Sequence, residues 1–129
     1  LEYYNMSSMK MDISKSDLSQ LARQADAVAE ILGAMANANR LLILCHLADG
    51  EKTVSQIVDA VSIAQSAASQ HLAKMRLLDL VKTRRDGKQI YYSIASDAVA
   101  TIMQTLYAVY CGPLVKAKER AQKEGKVRS

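Results

Sequence analysis

Two cysteines are the side chains with the clearest capacity for covalent chemistry in this chain of 129 residues. Cys45 and Cys111 lie far apart in the sequence, so only the fold can bring their thiols together. A thiolate attacks an electrophilic sulfur or another oxidant, and a second thiol can resolve the product as a bridge. The alternative is that both are small, unreactive hydrophobic residues, a common role for free cysteine.

The spacing of the histidines, cysteines and acids does not suggest a metal site. His46 follows Cys45 but points about 100° away from it around a helix. Asp97 could begin a second site, yet no histidine occurs after His71. We therefore predict no metal and no cofactor. A metal-responsive protein that uses Cys45, Cys111 and an acid remains an alternative.

Motifs typical of enzymes are also missing from the sequence. There is no glycine-rich phosphate loop, no G-x-S-x-G and no paired-acid signature. We predict that the protein is not an enzyme. A small dithiol redox enzyme is a less favoured alternative, because it would need an activating base or cation beside one thiol and a substrate pocket.

Residues 53–94 have the pattern of two short helices followed by a basic β-hairpin. Thr53 and Gln56 have the spacing of a capping box at the start of the first helix. Ser62 and Gln65 repeat that spacing, which predicts a second capped helix directly after it.

One face of the second helix is rich in Ser and Gln. Ala68, Leu72 and Met75 recur at helical spacing and are predicted to face the core. The opposite face suits hydrogen bonding to base edges and phosphates in a DNA major groove, whereas an ordinary solvated face would more often carry Glu and Lys. The predicted DNA contacts are Gln65, Ser66, Ser69, Gln70, His71 and Lys74. His71 could instead have a structural role.

The hairpin is predicted to be a wing that contacts DNA. Residues 81–85 and 88–94 form its strands, and Asp86-Gly87 is typical of a two-residue type I′ turn. Cations at its tip could clamp the DNA backbone or enter the minor groove. Taken alone, the hairpin would also fit an edge that is charged against aggregation. The cations expected at the tip are Lys82, Arg84, Arg85 and Lys88, and the last three are predicted DNA contacts.

The charge distribution agrees with a nucleic-acid partner. The net charge is +4 and the sequence pI is about 9.1. Between residues 71 and 93 the cations outnumber the acids by as much as they do in the whole chain. The positive field is therefore concentrated on the predicted DNA-binding segment.

Three further helices complete a domain predicted to span residues 14–112. The first begins at Ser14, the second covers residues 40–47 after a cap at Asn37 or Asn39, and the last runs from Ser96 to a stop at Gly112-Pro113. Residues 1–13 are expected to be a disordered or extraneous segment. Residues 113–129 are expected to be a charged tail that is frayed or disordered.

The predicted fold is mainly α with a small β-hairpin wing, a winged helix-turn-helix. The first helix carries a seam of apolar residues at near-heptad spacing, which faces either a partner chain or its own core. The seam comprises Leu18, Leu21, Ala25, Val28, Leu32 and Met35. If the terminal helices cover a second copy, the resulting homodimer places two recognition helices about one DNA turn apart, for an inverted-repeat operator.

The chain resembles the ArsR/SmtB family of winged-helix repressors in four segments. These are M-A-N-A-N-R-L-L-I-L at 35–44, S-A-A-S-Q-H-L at 66–72, L-L-D-L-V-K-T-R-R-D-G-K at 77–88 and Y-Y-S-I at 91–94. The resemblance implies a homodimer that represses promoters until an effector binds.

Two shorter segments, L-C-H-L around Cys45 and L-Y-A-V-Y-C ending at Cys111, resemble the dithiol branch of that family, the persulfide-sensing BigR/SqrR/HlyU-like group. This resemblance implies that Cys45 and Cys111 are the sensor pair and that reactive sulfur species are the effector. It also implies control of sulfide detoxification or virulence genes.

The expected location is the cytoplasm, without a membrane partner. No apolar run approaches the roughly 20 residues that span a bilayer. The first residues, L-E-Y-Y-N-M-S-S-M-K-M, lack the apolar region of a signal peptide.

Overall fold

Five helices and a three-stranded sheet make up the fold in a computed structural model, which describes residues 10–112 and 120–121. The elements in chain order are α1 (Lys15–Met35), α2 (Ala38–Leu47), β1 (Lys52–Thr53), α3 (Val54–Val61), α4 (Gln65–Leu77), β2 (Val81–Asp86), β3 (Gln89–Ile94) and α5 (Asp97–Tyr110). The winged helix-turn-helix prediction is therefore confirmed.

Short polar side chains begin most of the helices, as the sequence predicts. Ser14 caps α1 in a capping box, and Thr53 does the same for α3 with Gln56. Asn37 caps α2 through the backbone N–H of Arg40 at 3.1 Å, so that helix begins two residues earlier than predicted. In each case the side-chain oxygen accepts a bond from an N–H group that has no partner within the helix.

The predicted capping box at Ser62 and Gln65 is wrong. The residue before α4 is Ala64, which makes no side-chain cap bond. Ser62 instead ends α3 in the left-handed region, with φ 59° and ψ 47°, and its N–H donates to the Val58 carbonyl at 2.9 Å. The tight turn between the two helices needs a left-handed residue, and Ser62 occupies that position.

The hairpin is confirmed, but its turn differs from the prediction by one residue. Asp86 pairs with Gln89, so the loop is Gly87-Lys88 rather than Asp86-Gly87. Of these two loop residues only Gly87 has a positive φ, 63°. A positive φ at the first central position alone fits a type II′ turn, whereas type I′ needs it at both.

Strand β1, which the sequence analysis did not predict, adds a third strand in the order β1-β3-β2. Lys52 pairs with Tyr92 and Thr53 with Tyr91, both in antiparallel register. Because Thr53 also caps α3, the sheet is joined directly to the helix-turn-helix.

Aliphatic side chains and methionines of α2, α3, α4 and α5 form the core with residues of β2. The predicted inward residues of α4, Ala68, Leu72 and Met75, are fully buried. Leu72 and Met75 pack in one cluster with Ile43, Leu44, Ile57, Leu80, Val81 and Val99. Because one side of α4 is packed in this core, its opposite side is held facing the solvent.

Most of helix α1 lies outside this core. Of its residues, Ala34 and Met35 are buried at the end that meets α2. Leu18, Leu21 and Leu32 of the predicted seam are each about half exposed. Within one protomer Met35, at the end of the seam, packs in the core, whereas these three leucines leave most of the seam uncovered.

The expectations for the termini fall largely outside the described residues. Residues 10–13 carry no helix or strand, and of the tail Arg120 and Ala121 are described, both helical. Helix α5 ends at Tyr110, in agreement with the predicted stop. In the described part no single helix is long and apolar enough to cross a membrane, and α1 with α2 pass that test only as a pair bent by 95°.

Candidate DNA-binding face and thiol groove

The exposed side of α4 is formed by Gln65, Ser66, Ser69, Gln70 and Lys74, which we call the reading face. In residues 10–112 none of these side chains makes a hydrogen bond or ion pair within the protein. Their donors and acceptors are therefore free for base edges and phosphates. No acid lies in the first turn of α4, so nothing there repels an approaching phosphate.

His71 lies on the same helix, but its side chain contacts Arg40 of α2. It is part-buried, and its Nδ1 accepts a hydrogen bond from Nε of Arg40 at 3.1 Å. Burial, with a contribution from the Arg40 charge, lowers the pKa of His71 below its ordinary value of 6.5. This geometry favours the structural interpretation of His71 over the DNA contact.

The predicted cluster of four cations at the tip of the wing is wrong. Lys88 lies in the turn and Arg85 pairs with Ile90 beside it, but Lys82 pairs with Ser93 near the base of the hairpin. Side chains alternate along a strand, so Lys82 and Arg84 share one face of β2 and Arg85 lies on the other. Because side chains alternate along β2, the positive charges are distributed over both faces of the hairpin and along its length.

Arg84 is held against the sheet by an acid. Its Nε and Nη2 donate to the two carboxylate oxygens of Glu51, at 3.1 and 2.5 Å. The guanidinium also lies over the ring of Tyr91, with Cζ 4.7 Å from the centroid. The hydrogen bond with Glu51 raises the pKa of Arg84 and lowers that of the Glu51 carboxyl. A second carboxylate, that of Asp86, lies 3.8 Å from Nη1, so the charge of Arg84 is partly neutralised within the protein.

Cys45 lines an open groove of about 650 Å³ between α2, α3 and α5, which we call the thiol groove. The thiol is part-buried and packs against the core. The walls are mostly apolar, with polar groups at a few positions. The lining residues are Leu42, Cys45, His46, Ala48, Asp49, Ala60, Val61, Met103, Gln104 and Tyr107.

Cys111 lies at the end of α5, one turn beyond a wall of the groove. It is the exposed C-cap of the helix, and its N–H donates to the carbonyl of Tyr107 at 2.8 Å. Both thiols are free, and helices α2 and α5 pack against each other. The fold therefore places both predicted sensor cysteines on one pair of neighbouring helices.

No metal site is apparent in residues 10–112 and 120–121, where no group of three or more His, Cys, Asp or Glu side chains could hold an ion. Asp49, which lines the thiol groove, forms an ion pair with Lys52, whose Nζ donates to its Oδ1 at 2.6 Å. That pair lowers the pKa of the Asp49 carboxyl.

Sequence reasoning missed two contacts of this region, Arg40–His71 and Glu51–Arg84. Each joins residues more than 30 positions apart, and no local pattern predicts such a pair. For Arg40–His71 the signal in the sequence was an arginine and a histidine in segments already assigned to helices, and for Glu51–Arg84 it was an acid and a cation of opposite charge.

Comparison with known proteins identifies close relatives of this chain. The sequence profile described as "Bacterial regulatory protein, arsR family" matches residues 37–83. The biofilm growth-associated repressor of Agrobacterium fabrum is 37% identical over 103 residues, which cover 80% of this chain and 88% of that protein.

Two solved structures share the fold. Reduced HlyU from Vibrio cholerae has a TM-score of 0.68 and 35% identity, and the match covers 72% of this chain and 98% of that one. The homodimeric winged helix-turn-helix domain of Mb0332 from Mycobacterium bovis has a TM-score of 0.60 and 34% identity, covering 78% and 89% of the two chains.

Proposed function

Because this chain belongs to the ArsR family of bacterial regulatory proteins, which bind DNA and are not enzymes, we propose that it is a homodimeric transcriptional repressor with a dithiol switch. Reactive sulfur at Cys45 and Cys111 sets its affinity for an inverted-repeat operator. The observation that carries the proposal is the position of Cys45 in the thiol groove, with Cys111 at the end of the helix that forms one wall.

The DNA contacts come from two elements. The reading face enters the major groove, where Gln65, Gln70 and the serines meet base edges. Lys88 and Arg85 at the tip of the wing contact the phosphate backbone. Such a protein acts where promoters and reduced thiols coexist, so we place it in the cytoplasm.

The dimer is supported by the apolar surface that one protomer leaves uncovered. Leu18, Leu21 and Leu32 of α1 and Tyr107 and Tyr110 of α5 are exposed. A second copy would bury both helices around a twofold axis. The Mycobacterium bovis relative is described as homodimeric, which agrees with this arrangement.

The sulfur chemistry requires one two-electron oxidant, an organic persulfide RSSH. The Cys45 thiolate attacks the terminal sulfur and forms a Cys45 persulfide, and RSH leaves. The Cys111 thiolate then attacks the Cys45 sulfur and displaces hydrogen sulfide. Two thiols and RSSH thus become one disulfide, RSH and H₂S, while additional RSSH would insert further sulfur atoms.

A bridge of either kind would couple α2 to the end of α5. Helix α5 is part of the proposed dimer surface, and α2 packs on the helix-turn-helix. A change in their relative position would alter the dimer angle and hence the spacing of the two reading faces. Allosteric couplings of this kind change affinity by about 5- to 150-fold.

The test is fluorescence anisotropy with a labelled inverted-repeat duplex selected from a random library by the reduced protein. Wild type, Cys45→Ser and Cys111→Ser are compared before and after treatment with cysteine persulfide, and again after dithiothreitol. We expect all three reduced proteins to bind, and only wild type to release DNA reversibly. Mass spectrometry of the released protein counts the sulfur atoms in the bridge.

Two results would contradict the switch. If treated and reduced wild type bind alike, the cysteines are packing residues. If Zn²⁺ releases the duplex and persulfide does not, the metal-responsive alternative is correct. Binding to the duplex itself is independent of both outcomes, so the DNA-binding assignment stands or falls separately.

A further inference from the structure

The Arg40 side chain connects three helices. From the first turn of α2, its Nη1 donates to the Ala34 carbonyl at the end of α1, at 3.2 Å. Its Nε donates to Nδ1 of His71 on α4, at 3.1 Å. The backbone N–H of Arg40 is itself fixed by Asn37. One guanidinium therefore ties the junction of α1 and α2 to the helix that carries the reading face.

The bond to α4 exists only while the imidazole is neutral. Nδ1 of His71 acts as the acceptor, so the single ring proton must reside on Nε2. Protonation would place a second N–H opposite the Arg40 donor and set two positive charges against each other. The two donors would then separate.

The charged surroundings of His71 point to Arg40 as its partner. Among the described residues, Arg40 supplies the electrostatic contribution to the lowered pKa of His71, after burial. The other charged groups on α4, α3 and β2 are all on exposed residues, whereas His71 is part-buried; they are Lys74, Arg76, Asp59, Lys82, Arg84, Arg85 and Asp86. Besides Arg40, helix α2 carries the titratable side chains of Cys45 and His46, which line the thiol groove at the far end of that helix.

We propose that Arg40 and His71 form a clasp that holds α4 in its DNA-reading orientation, and that protonation of His71 opens the clasp. His71 is then a positioning residue and not a DNA contact. Gln70 directly precedes it and Lys74 lies one turn further on, so a small rotation of α4 displaces both. Paired hydrogen bonds to base edges depend on direction, whereas attraction to phosphates does not.

The clasp gives DNA binding a pH dependence opposite in sign to that of a histidine at a DNA surface. A histidine that contacts phosphate binds more tightly when protonated. Opening of the clasp instead weakens operator binding as the pH falls below the ordinary range of histidine. Loss of a hydrogen bond to a charged partner corresponds to about tenfold or more in affinity.

The test measures binding of the selected duplex and of a scrambled duplex of equal length from pH 7.5 to 5.5. His71→Asn places an amide oxygen close to the Nδ1 position and does not titrate, so it should bind like wild type at pH 7.5 and stay constant. His71→Phe has no acceptor and should bind the selected duplex weakly throughout. His46→Asn removes the chain's other histidine and should keep the wild-type pH profile.

Three results bear on the clasp. A loss of about tenfold on the selected duplex in wild type alone, with little loss on the scrambled one, supports it. A wild-type affinity that rises on acidification and becomes constant in His71→Asn would make His71 a phosphate contact. Identical profiles for wild type and His71→Asn would also overturn the proposal, and thermal melts at each pH show whether any variant has unfolded.

Nitrogen-15 NMR of the imidazoles gives a readout that needs no DNA. We expect His71 of the wild-type protein in the Nε2–H tautomer, with a titration midpoint below that of an ordinary histidine. Arg40→Leu should raise that midpoint, since it removes both the donor and the positive charge. A midpoint that Arg40→Leu leaves unchanged would show that the clasp is not formed in solution.

Discussion

Replacement of wing cations provides a quantitative test of how the charges at the hairpin are used. Lys88 lies in the exposed turn and, in the described part of the chain, has no acid partner, whereas Arg84 is paired with Glu51. We therefore expect Lys88→Ala to remove a full phosphate contact and Arg84→Ala to remove less than one. Because both residues are cations on the same hairpin, the expected difference between the two variants comes from the ion pair that the fold gives to Arg84.

The magnitude follows from counterion release. Each phosphate contact contributes about 0.9 to the slope of log K against log salt concentration. A dimer carries two wings, so Lys88→Ala should flatten the slope by about 1.8. Between 50 and 200 mM salt, wild type should then lose roughly 12-fold more affinity than the variant. Arg84→Ala should flatten the slope by clearly less.

Glu51→Gln is the matched third variant, because it keeps the size of the side chain and removes the larger of the two acidic contributions that neutralise Arg84, the smaller being that of Asp86. We expect it to steepen the slope and to strengthen binding to the selected and scrambled duplexes alike. The assay is anisotropy at five salt concentrations with both duplexes. Equal slope changes for Arg84→Ala and Lys88→Ala would refute the neutralisation by Glu51. A changed sequence preference with an unchanged slope would refute the wing as a phosphate contact.

Three further substitutions test other parts of the structure. Gln70→Ala should cost about 1–3 kcal/mol on the selected duplex and little on the scrambled one, and an equal loss on both would remove Gln70 from the reading face. Ser62→Gly should raise the free energy of unfolding by about 1 kcal/mol in urea titrations, because φ is 59° at this position and glycine adopts that region without a steric cost; a destabilised variant would contradict this. Because the pKa of His71 is lowered in the folded protein, the unfolded chain binds the proton first as the pH falls. The contribution of His71 to the free energy of unfolding is therefore complete above about pH 6.5 and is lost as the pH falls toward the pKa of the folded state. Urea midpoints of wild type and His71→Asn should diverge over that interval, and parallel curves would show that His71 is not shifted.

Local patterns predicted the elements of this fold well. The i, i+4, i+7 spacing of Ala68, Leu72 and Met75 identified the buried side of α4, and all three are fully buried. Capping by Ser14 and Thr53 was also predicted, because cap chemistry depends on residues only three positions apart. The reading face follows from the same period, although its contacts with DNA remain predictions.

The predictions of the α4 cap and of the hairpin turn were wrong because in each case the same residues could form two local structures. Ser62 could begin α4 or end α3, and the left-handed turn between the helices decided for the second. Asp86-Gly87 and Gly87-Lys88 both suit a tight turn, and the pairing of Asp86 with Gln89 selected the latter. The contacts of Arg40 and Arg84 depend on the whole fold, so only the structure could show that two conspicuous cations are already engaged.

The short strand β1 has a mechanical consequence for regulation. Thr53 pairs with Tyr91 of the wing and, through its hydroxyl, caps the first helix of the helix-turn-helix. Thr53 therefore links the hairpin directly to the helix-turn-helix, and we expect the two proposed DNA-contacting elements to move together. An effector that tilts α4 out of a major groove should then also lift the wing from the backbone, so base-specific and salt-dependent contacts should be lost in a single step.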